Sequence, residues 1–386
     1  MIVVGGYYLE QCVRPSEFEG FGSGGRAAMA IAASGEAVKW HYYCPLEKQN
    51  SVFSSLAHEN IEHHPHASDT LVHFRYFHPL SSPIFSPSDL TQHPTFKVEG
   101  EIILRFGFME GDARVVGNRV VYDPQSPHDP VGFSKNGSKA EELAVVLNSH
   151  EVQELGGSDV EIDAVKKIAA DEGANIIVVK AATEGCRVYQ SETLLGVVPP
   201  YASERVYKIG SGDVFSAGFS YHWGVLGKGA LESADVASRC TSLYCETRYP
   251  STVVDGALKS RKPIKKKNDG SIYIAGPFFT VGELWVVEEA WRGLTELGVP
   301  VFSPYHDVGV GPSDHVAAAD LNALKKSSVV LAFIDGCDPG TIFEIGFARS
   351  KDIPVVALAE NPKHGDMTML EGSGCLLTDD FSTAIY

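Results

Sequence analysis

A short basic island between two acidic stretches constrains this chain more than any other feature. Lys259–Ser271 reads KSRKPIKKKNDGS, with Lys259, Arg261, Lys262, Lys265, Lys266 and Lys267 beside one proline. Net charge is −12 over residues 1–258, +5 over 259–270 and −10 over 271–386, which makes the −17 of the whole chain. Like charges repel, and such a run keeps its water, so the island reads as a solvated linker. The length agrees: 386 residues exceed the roughly 250–300 at which one core stops growing. The expected organisation is a domain over residues 1–257, a linker over 258–270 and a domain over 271–386.

Composition narrows the class. With 44% hydrophobic and 21% charged residues the chain can bury a core, which excludes a largely disordered protein. No apolar run approaches the ~20 residues of a membrane helix. The start, MIVVGGYY, lacks the basic and long apolar regions of a signal peptide and reads as a strand from Ile2. The acidic balance argues against a nucleic-acid polymer as partner but leaves room for small phosphorylated ligands. Seven cysteines without a CxxC pair read as reduced thiols in a cytoplasmic protein.

Beyond the island the pattern is regular. Strands are expected at Ser271–Ala275, Val299–Phe302, Val329–Ile334 and Pro354–Leu358. Helices are expected at Glu283–Leu297, Asp314–Lys326 and Thr341–Arg349. This alternation predicts a small, doubly wound, flavodoxin- or Rossmann-like parallel sheet, with ligands at the carboxyl ends of its strands. The first 257 residues are also α/β. Strands are read at Ile2–Gly6, Leu143–Leu147 and Asn175–Val179, and helices at Gly25–Ser34, Val160–Glu172 and Asp213–Trp223. Residues 58–95, rich in His, Ser and Pro, are not assigned; they read as a polar loop or lid rather than a metal site. Trp285 and Trp291 share one amphipathic helix and read as packing or a subunit contact.

The first chemical motif is Lys208-Ile-Gly-Ser-Gly-Asp213, which opens an apolar helix. Glycines let an anion approach the free N–H groups of a helix start, and an acid placed there can take a proton from an attacking hydroxyl. Asp213 equally suits a plain helix cap. Gly210-Ser211-Gly212-Asp213 with Phe215 resembles the signature of the ribokinase-like (PfkB) carbohydrate and nucleoside kinases, over roughly residues 1–257. Gly24-Gly25, followed by Ala27, Ala28 and Ala30, resembles that family's sugar-site segment. Asn148-Ser-His-Glu151 resembles its N-x-x-E motif, and Val178–Gly185 its strand and turn beside the nucleotide.

The resemblance implies a three-layer α/β fold and ATP with Mg²⁺ as cofactors. It implies an anion hole at Gly210, Ser211 and Gly212, a nucleotide contact at Gly185 and Asp213 as base. It further implies Asn148 and Glu151 as the residues ordering the metal, and Glu10, Gly24 and Gly25 at the substrate. Four positions depart from the family. Glu10 stands for its Asp, Arg26 for the Asn of its GGN, Ala182 for a turn glycine and Lys208-Ile209 for its D-T.

The second motif is Asp335-Gly-Cys-Asp338-Pro-Gly-Thr-Ile-Phe-Glu344, with Asp320 on the preceding helix. Three acids near one sheet edge suit glycosyl transfer, in which one carboxylate attacks C1′ and another serves the leaving group. Each also has a plainer role: Thr341-x-x-Glu344 is a capping-box pattern, Asp338-Pro-Gly a turn, and Asp320 a residue for a solvated face. Ile272-Tyr-Ile-Ala-Gly-Pro-Phe-Phe279, Ala319-Asp320-Leu321 and Asp338–Ala348 together resemble the nucleoside 2-deoxyribosyltransferase-like family and its N-glycosidase relatives. That resemblance covers residues 272–386 and implies Glu344 as nucleophile, with Asp338 and Asp320 contacting the base and handling its proton. It places Gly276 and Pro277 at the substrate, calls for no cofactor in this domain, and makes Tyr386 a candidate for a neighbouring subunit's site in a homo-oligomer. The expected whole is a two-domain enzyme acting on a nucleoside, nucleotide or sugar. The alternative is a nucleotide sensor whose kinase-like domain binds without turnover and gates the glycosidase.

Overall fold

The computed structural model describes residues 1–125, 129–265, 270–362 and 367–386. The chain divides into two compact units, Met1–Lys265 and Lys266–Tyr386. In the first unit the strands are β1 (Ile2–Val4), β2 (Leu9–Cys12), β3 (Glu17–Gly20), β4 (Val38–Cys44), β5 (Ile61–Ala67), β6 (His73–Tyr76) and β7 (Ile84–Ser86). They continue with β8 (Phe96–Phe106), β9 (Ala113–Asp123), β10 (Lys139–Asn148), β11 (Ile176–Lys180), β12 (Cys186–Gln190) and β13 (Thr193–Val198). Nine of them form one sheet in the order β13-β12-β11-β10-β9-β8-β1-β4-β5, parallel except where β12 pairs with β11 and β13. The remaining four form a small sheet, β3-β2-β6-β7.

Parallel strands covered on both faces need near-continuous apolar runs, and Leu143–Leu147 (LAVVL) is buried throughout. Its side chains alternate between two cores. Ala144 and Val146 face the helices Gly22–Ala32, Ser211–Ser220 and Ala230–Thr247, whereas Val145 and Leu147 face Ser149–Gly156 and Glu161–Glu172. The unit is therefore a three-layer α/β sandwich, as expected.

The second unit holds β14 (Ile272–Ala275), β15 (Val301–Phe302), β16 (Val329–Phe333), β17 (Val355–Leu358) and β18 (Leu376–Thr378). All pairs are parallel, in the order β15-β14-β16-β17-β18. That is the flavodoxin-like order, and its switch point lies between β14 and β16. Among the described residues no helix is long and apolar enough to cross a membrane.

Two expectations change. The histidine-rich stretch is only partly loop. His63, His64 and His66 lie on β5, an edge strand of the main sheet, where His64 stacks on His41 and His66 on Phe96. The alternation was hidden because imidazoles stand where apolar residues usually mark a strand. Among the described residues no group of three or more His, Cys, Asp or Glu could hold a metal ion. The start of the basic island is not free linker either. Leu258 is fully buried, Arg261 Nη1 donates to Glu246 Oε2 at 2.6 Å, and Pro263 bridges to Tyr201. Lys266 and Lys267 lie outside the described residues. Trp291 stacks on His306 at 4.6 Å, while Trp285 is nearly half exposed.

Candidate functional sites

In the second unit the chemistry gathers at the switch point. Tyr273 on β14 is fully buried, and a buried phenol needs a partner. Its hydroxyl donates to Glu344 Oε1 at 2.5 Å. Glu344 lies one turn inside the helix Pro339–Arg349, which follows β16. The capping box does not form. Asp338 is the N-cap, and its Oδ2 accepts the Thr341 N–H at 2.8 Å and the Thr341 hydroxyl at 3.0 Å. With the cap already supplied, the Glu344 carboxylate serves no helix end. Burial pushes it up to about 7; the Tyr273 hydrogen bond opposes this, and the charges of Asp320 and Asp338 add to it.

Asp320, on the helix Ser313–Lys326, is also raised by burial, and its Oδ1 is buried without a hydrogen-bond partner. The structure thus brings Asp320, Asp338 and Glu344 into one electrostatic neighbourhood. Gly276, at the carboxyl end of β14, allows close approach to β16: a Cβ there would lie 2.9 Å from Phe333 Cδ2. Pro277 leads into Phe278, whose ring packs on Tyr305 at 5.6 Å. Tyr386 follows the short helix Phe381–Ile385 and is 40% exposed.

In the first unit Gly210 is the left-handed N-cap (φ 78°) of the helix Ser211–Ser220, and Asp213 lies in its first turn. Asp213 is not open to a ligand. Its Oδ2 accepts Arg26 Nη1 at 2.6 Å and its Oδ1 accepts the Gln125 amide. The other end of the Arg26 guanidinium pairs with Glu10, so one cation bridges two carboxylates. Arg26 is 1% exposed and lies over the Phe21 ring at 5.3 Å. Burial works against its charge, but Glu10, Tyr244 and Asp213 outweigh this and hold it protonated. Burial raises both Glu10 and Asp213 against the pull of Arg26, since desolvation penalises each anion.

A second buried pair lies alongside. Asp123, fully buried, accepts Lys180 Nζ at 2.8 Å and the Ser216 hydroxyl at 2.6 Å. Lys180 Nζ is the nearest group to the open side of Gly212, 3.6 Å from where a Cβ would stand.

The remaining expected residues are engaged structurally. Asn148 Oδ1 accepts the Glu151 N–H at 2.8 Å and Glu151 Oε2 accepts the Asn148 N–H at 2.7 Å, a reciprocal capping box. Beside Gly24 a Cβ would meet Gly5 O at 2.2 Å, and beside Gly25 Leu56 Cδ1 at 3.0 Å, so both hold the Gly22–Ala32 helix against the core. Gly185 (φ 81°) faces Val198 O, 2.0 Å from an added Cβ. Ser211 is buried in the turn, its N–H on Lys208 O at 3.0 Å.

Ala182, where the family has glycine, adopts φ 45°. A left-handed alanine costs ~1–2 kcal/mol, partly offset by the ~0.5–1 kcal/mol that glycine loses in chain entropy. Ala182→Gly is therefore expected to stabilise the first unit by about 0.5–1 kcal/mol in urea unfolding; a loss of stability would contradict the strain.

Tyr273, Gln125, Asp123 and Lys180 were not singled out from sequence. Tyr273 was findable: a tyrosine inside a four-residue apolar strand announces a buried hydroxyl in need of a partner. Asp123 and Lys180 each end a strand, where a charge beside an apolar run is a weaker signal.

Residues 120–255 match the model of the pfkB family carbohydrate kinases, and residues 272–377 that of nucleoside 2-deoxyribosyltransferase. The first match spans Asp123, Gln125, Lys180 and Gly210–Asp213; Glu10 and Gly24–Arg26 precede it. Several solved structures are similar. A pyrophosphate-dependent kinase of the ribokinase family, complexed with a pyrophosphate analogue and myo-inositol, is 17% identical with TM-score 0.47. The match covers 67% of this chain and 100% of that one. Phosphofructokinase-2 from Escherichia coli with potassium is 15% identical with TM-score 0.49, over 67% and 96%. Fructokinase from Vibrio cholerae with fructose, ADP and calcium is 15% identical with TM-score 0.47, over 67% and 95%. No curated protein sequence matches the chain. The chain thus joins a pfkB-kinase-like segment to a nucleoside-2-deoxyribosyltransferase-like one.

Proposed function

We propose that this protein processes nucleosides or nucleotides, and that its second unit cleaves or transfers their N-glycosidic bond. The observation that carries this reading is the Glu344 carboxylate, held by Tyr273 at 2.5 Å beside Asp320 and Asp338 at the sheet switch point. In the first step a Glu344 oxygen bonds to C1′ as the C1′–N bond breaks. The bonding pair leaves with the base, which takes a proton from Asp338 or Asp320. In the second step water, or the nitrogen of another base, attacks C1′ and frees Glu344 while a carboxylate accepts the proton. No cofactor is needed. Incubation with a nucleoside and nucleotide panel, with and without an acceptor base, tests this by chromatography; no released base from any substrate would overturn it.

The reading fixes a pH dependence. Glu344 attacks only as the anion, and its carboxyl is pushed up to about 7. Cleavage should therefore rise about tenfold per pH unit below 7 and level off above it. Tyr273 stabilises the anion, so Tyr273→Phe should move that limb to higher pH. A profile unmoved by Tyr273→Phe would contradict the assignment.

Two readings compete for the first unit. One is an ATP-dependent kinase with Asp213 as base and Asn148 and Glu151 ordering Mg²⁺. There the bound nucleotide supplies the phosphoryl group and the metal offsets its charge. The backbone of Gly210–Asp213 and the Lys180 ammonium fit a polyphosphate. The carboxylates fit a directly bound metal poorly, since Asp213, Asp123 and Glu151 each accept internal donors. The other reading is a unit that binds a nucleotide, does not transfer phosphate and gates the glycosidase. The buried Arg26 bridge favours the second. ATP consumption with a nucleoside panel separates them. We place the protein in the cytoplasm as a homo-oligomer, with its seven cysteines reduced and Tyr386 contributing to a neighbouring site.

A further inference from the structure

We propose that Arg26 is a built-in plug in the acceptor end of the first unit, standing where a substrate hydroxyl would meet Asp213. This rests on the reading of that unit as non-transferring and names the residue responsible. Three observations locate the plug. The guanidinium lies against the Gly210 turn: a Cβ at Gly210 would come 2.2 Å from Arg26 Nε and 2.3 Å from Cζ. Both oxygens of Asp213 already accept a hydrogen bond, one from Arg26 and one from Gln125, so a substrate hydroxyl would have to compete there with a charge-assisted bond. Phe21, Tyr244 and the paired Glu10 surround the cation, and solvent scarcely reaches it.

A general base needs a lone pair within hydrogen-bond reach of the proton it removes, and an adjoining cation lowers its basicity further. An acceptor could reach Asp213 only by expelling Arg26, which would leave two buried carboxylates facing each other. Arg26 Nε has no partner of its own, so the guanidinium is held by its two carboxylates and by the walls rather than by a complete donor set.

The test uses the full chain with ATP as donor and ribose, fructose, myo-inositol and adenosine as probes. Wild-type protein should form no ADP with any of the four, and none should move its thermal midpoint. Arg26→Asn empties the position, so at least one probe should raise that variant's midpoint by ~2 °C or more. If Arg26→Asn does not fold, Arg26→Asn with Glu10→Gln removes one of the two like charges and gives the same readout. Acceptor-dependent ADP formation by wild type would overturn the plug together with the non-transferring reading. A silent wild type beside a folded variant that no probe stabilises would overturn the plug alone.

Discussion

Glu344→Gln should abolish N-glycosidic cleavage, by at least about a thousandfold, while leaving the second unit folded. Loss of a covalent nucleophile has effects of this order because no neighbouring group can replace its bond to C1′. Asp320 and Asp338 are poorly placed to replace its bond to C1′: Asp338 Oδ2 holds the helix cap at Thr341, and Asp320 lies on another helix. Stability gives an independent check with the opposite sign to a capping role. Burial pushes the folded carboxyl up to about 7, above its ordinary 4.5, so the folded state binds the proton more tightly. Its contribution to stability is therefore full at low pH and is lost as pH rises towards 7. Removing the carboxylate should stabilise the unit at pH 8 by on the order of 2 kcal/mol and change little at pH 4. A capping glutamate would behave otherwise, costing about 0.5–2 kcal/mol on removal. A Glu344→Gln variant that is less stable at pH 8 and still active would sink both the nucleophile and the domain's assigned chemistry.

What could be read from sequence follows how local each signal is. Four of the five strands of the second unit were visible because each is a short apolar run followed within a few residues by Gly, Pro or Asp; Leu376–Thr378 was not read as a strand. The Asp338–Glu344 segment was visible for the same reason. Whether Glu344 caps its helix or faces a ligand was not, because two patterns overlap: Thr341-x-x-Glu344 and Asp338-x-x-Thr341. Only the fold decides between them, through a tyrosine 71 residues away. The first unit's site was harder still. Arg26 and Asp213 are 187 residues apart, and nothing local to either announces an ion pair. Arg26 drew notice as a departure from a motif, not as a group that fills the site. Strand β5 escaped because His and Pro occupy its alternating positions.

The Arg26 bridge also has a large expected cost. Arg26→Met keeps much of the side-chain volume but leaves Glu10 and Asp213 as uncompensated buried charges. Breaking one partner of a buried ion network typically costs ~3–5 kcal/mol, most of it the desolvation of what remains. That loss should appear in urea unfolding of the first unit at neutral pH. It should shrink on acidification, because burial already raises both carboxyls and neither then has a cation to oppose it. Protonation removes the repulsion, so the variant's stability falls as pH rises, more steeply than the parent's. Converting all three residues, with Glu10→Gln and Asp213→Asn beside Arg26→Met, should recover most of the loss, since a neutral set of similar volume needs no counter-ion. The non-additivity of single and triple variants measures the bridge itself. An Arg26→Met variant costing less than about 1 kcal/mol, with no added pH dependence, would mean that the guanidinium is solvated and that Asp213 is free to act as a base.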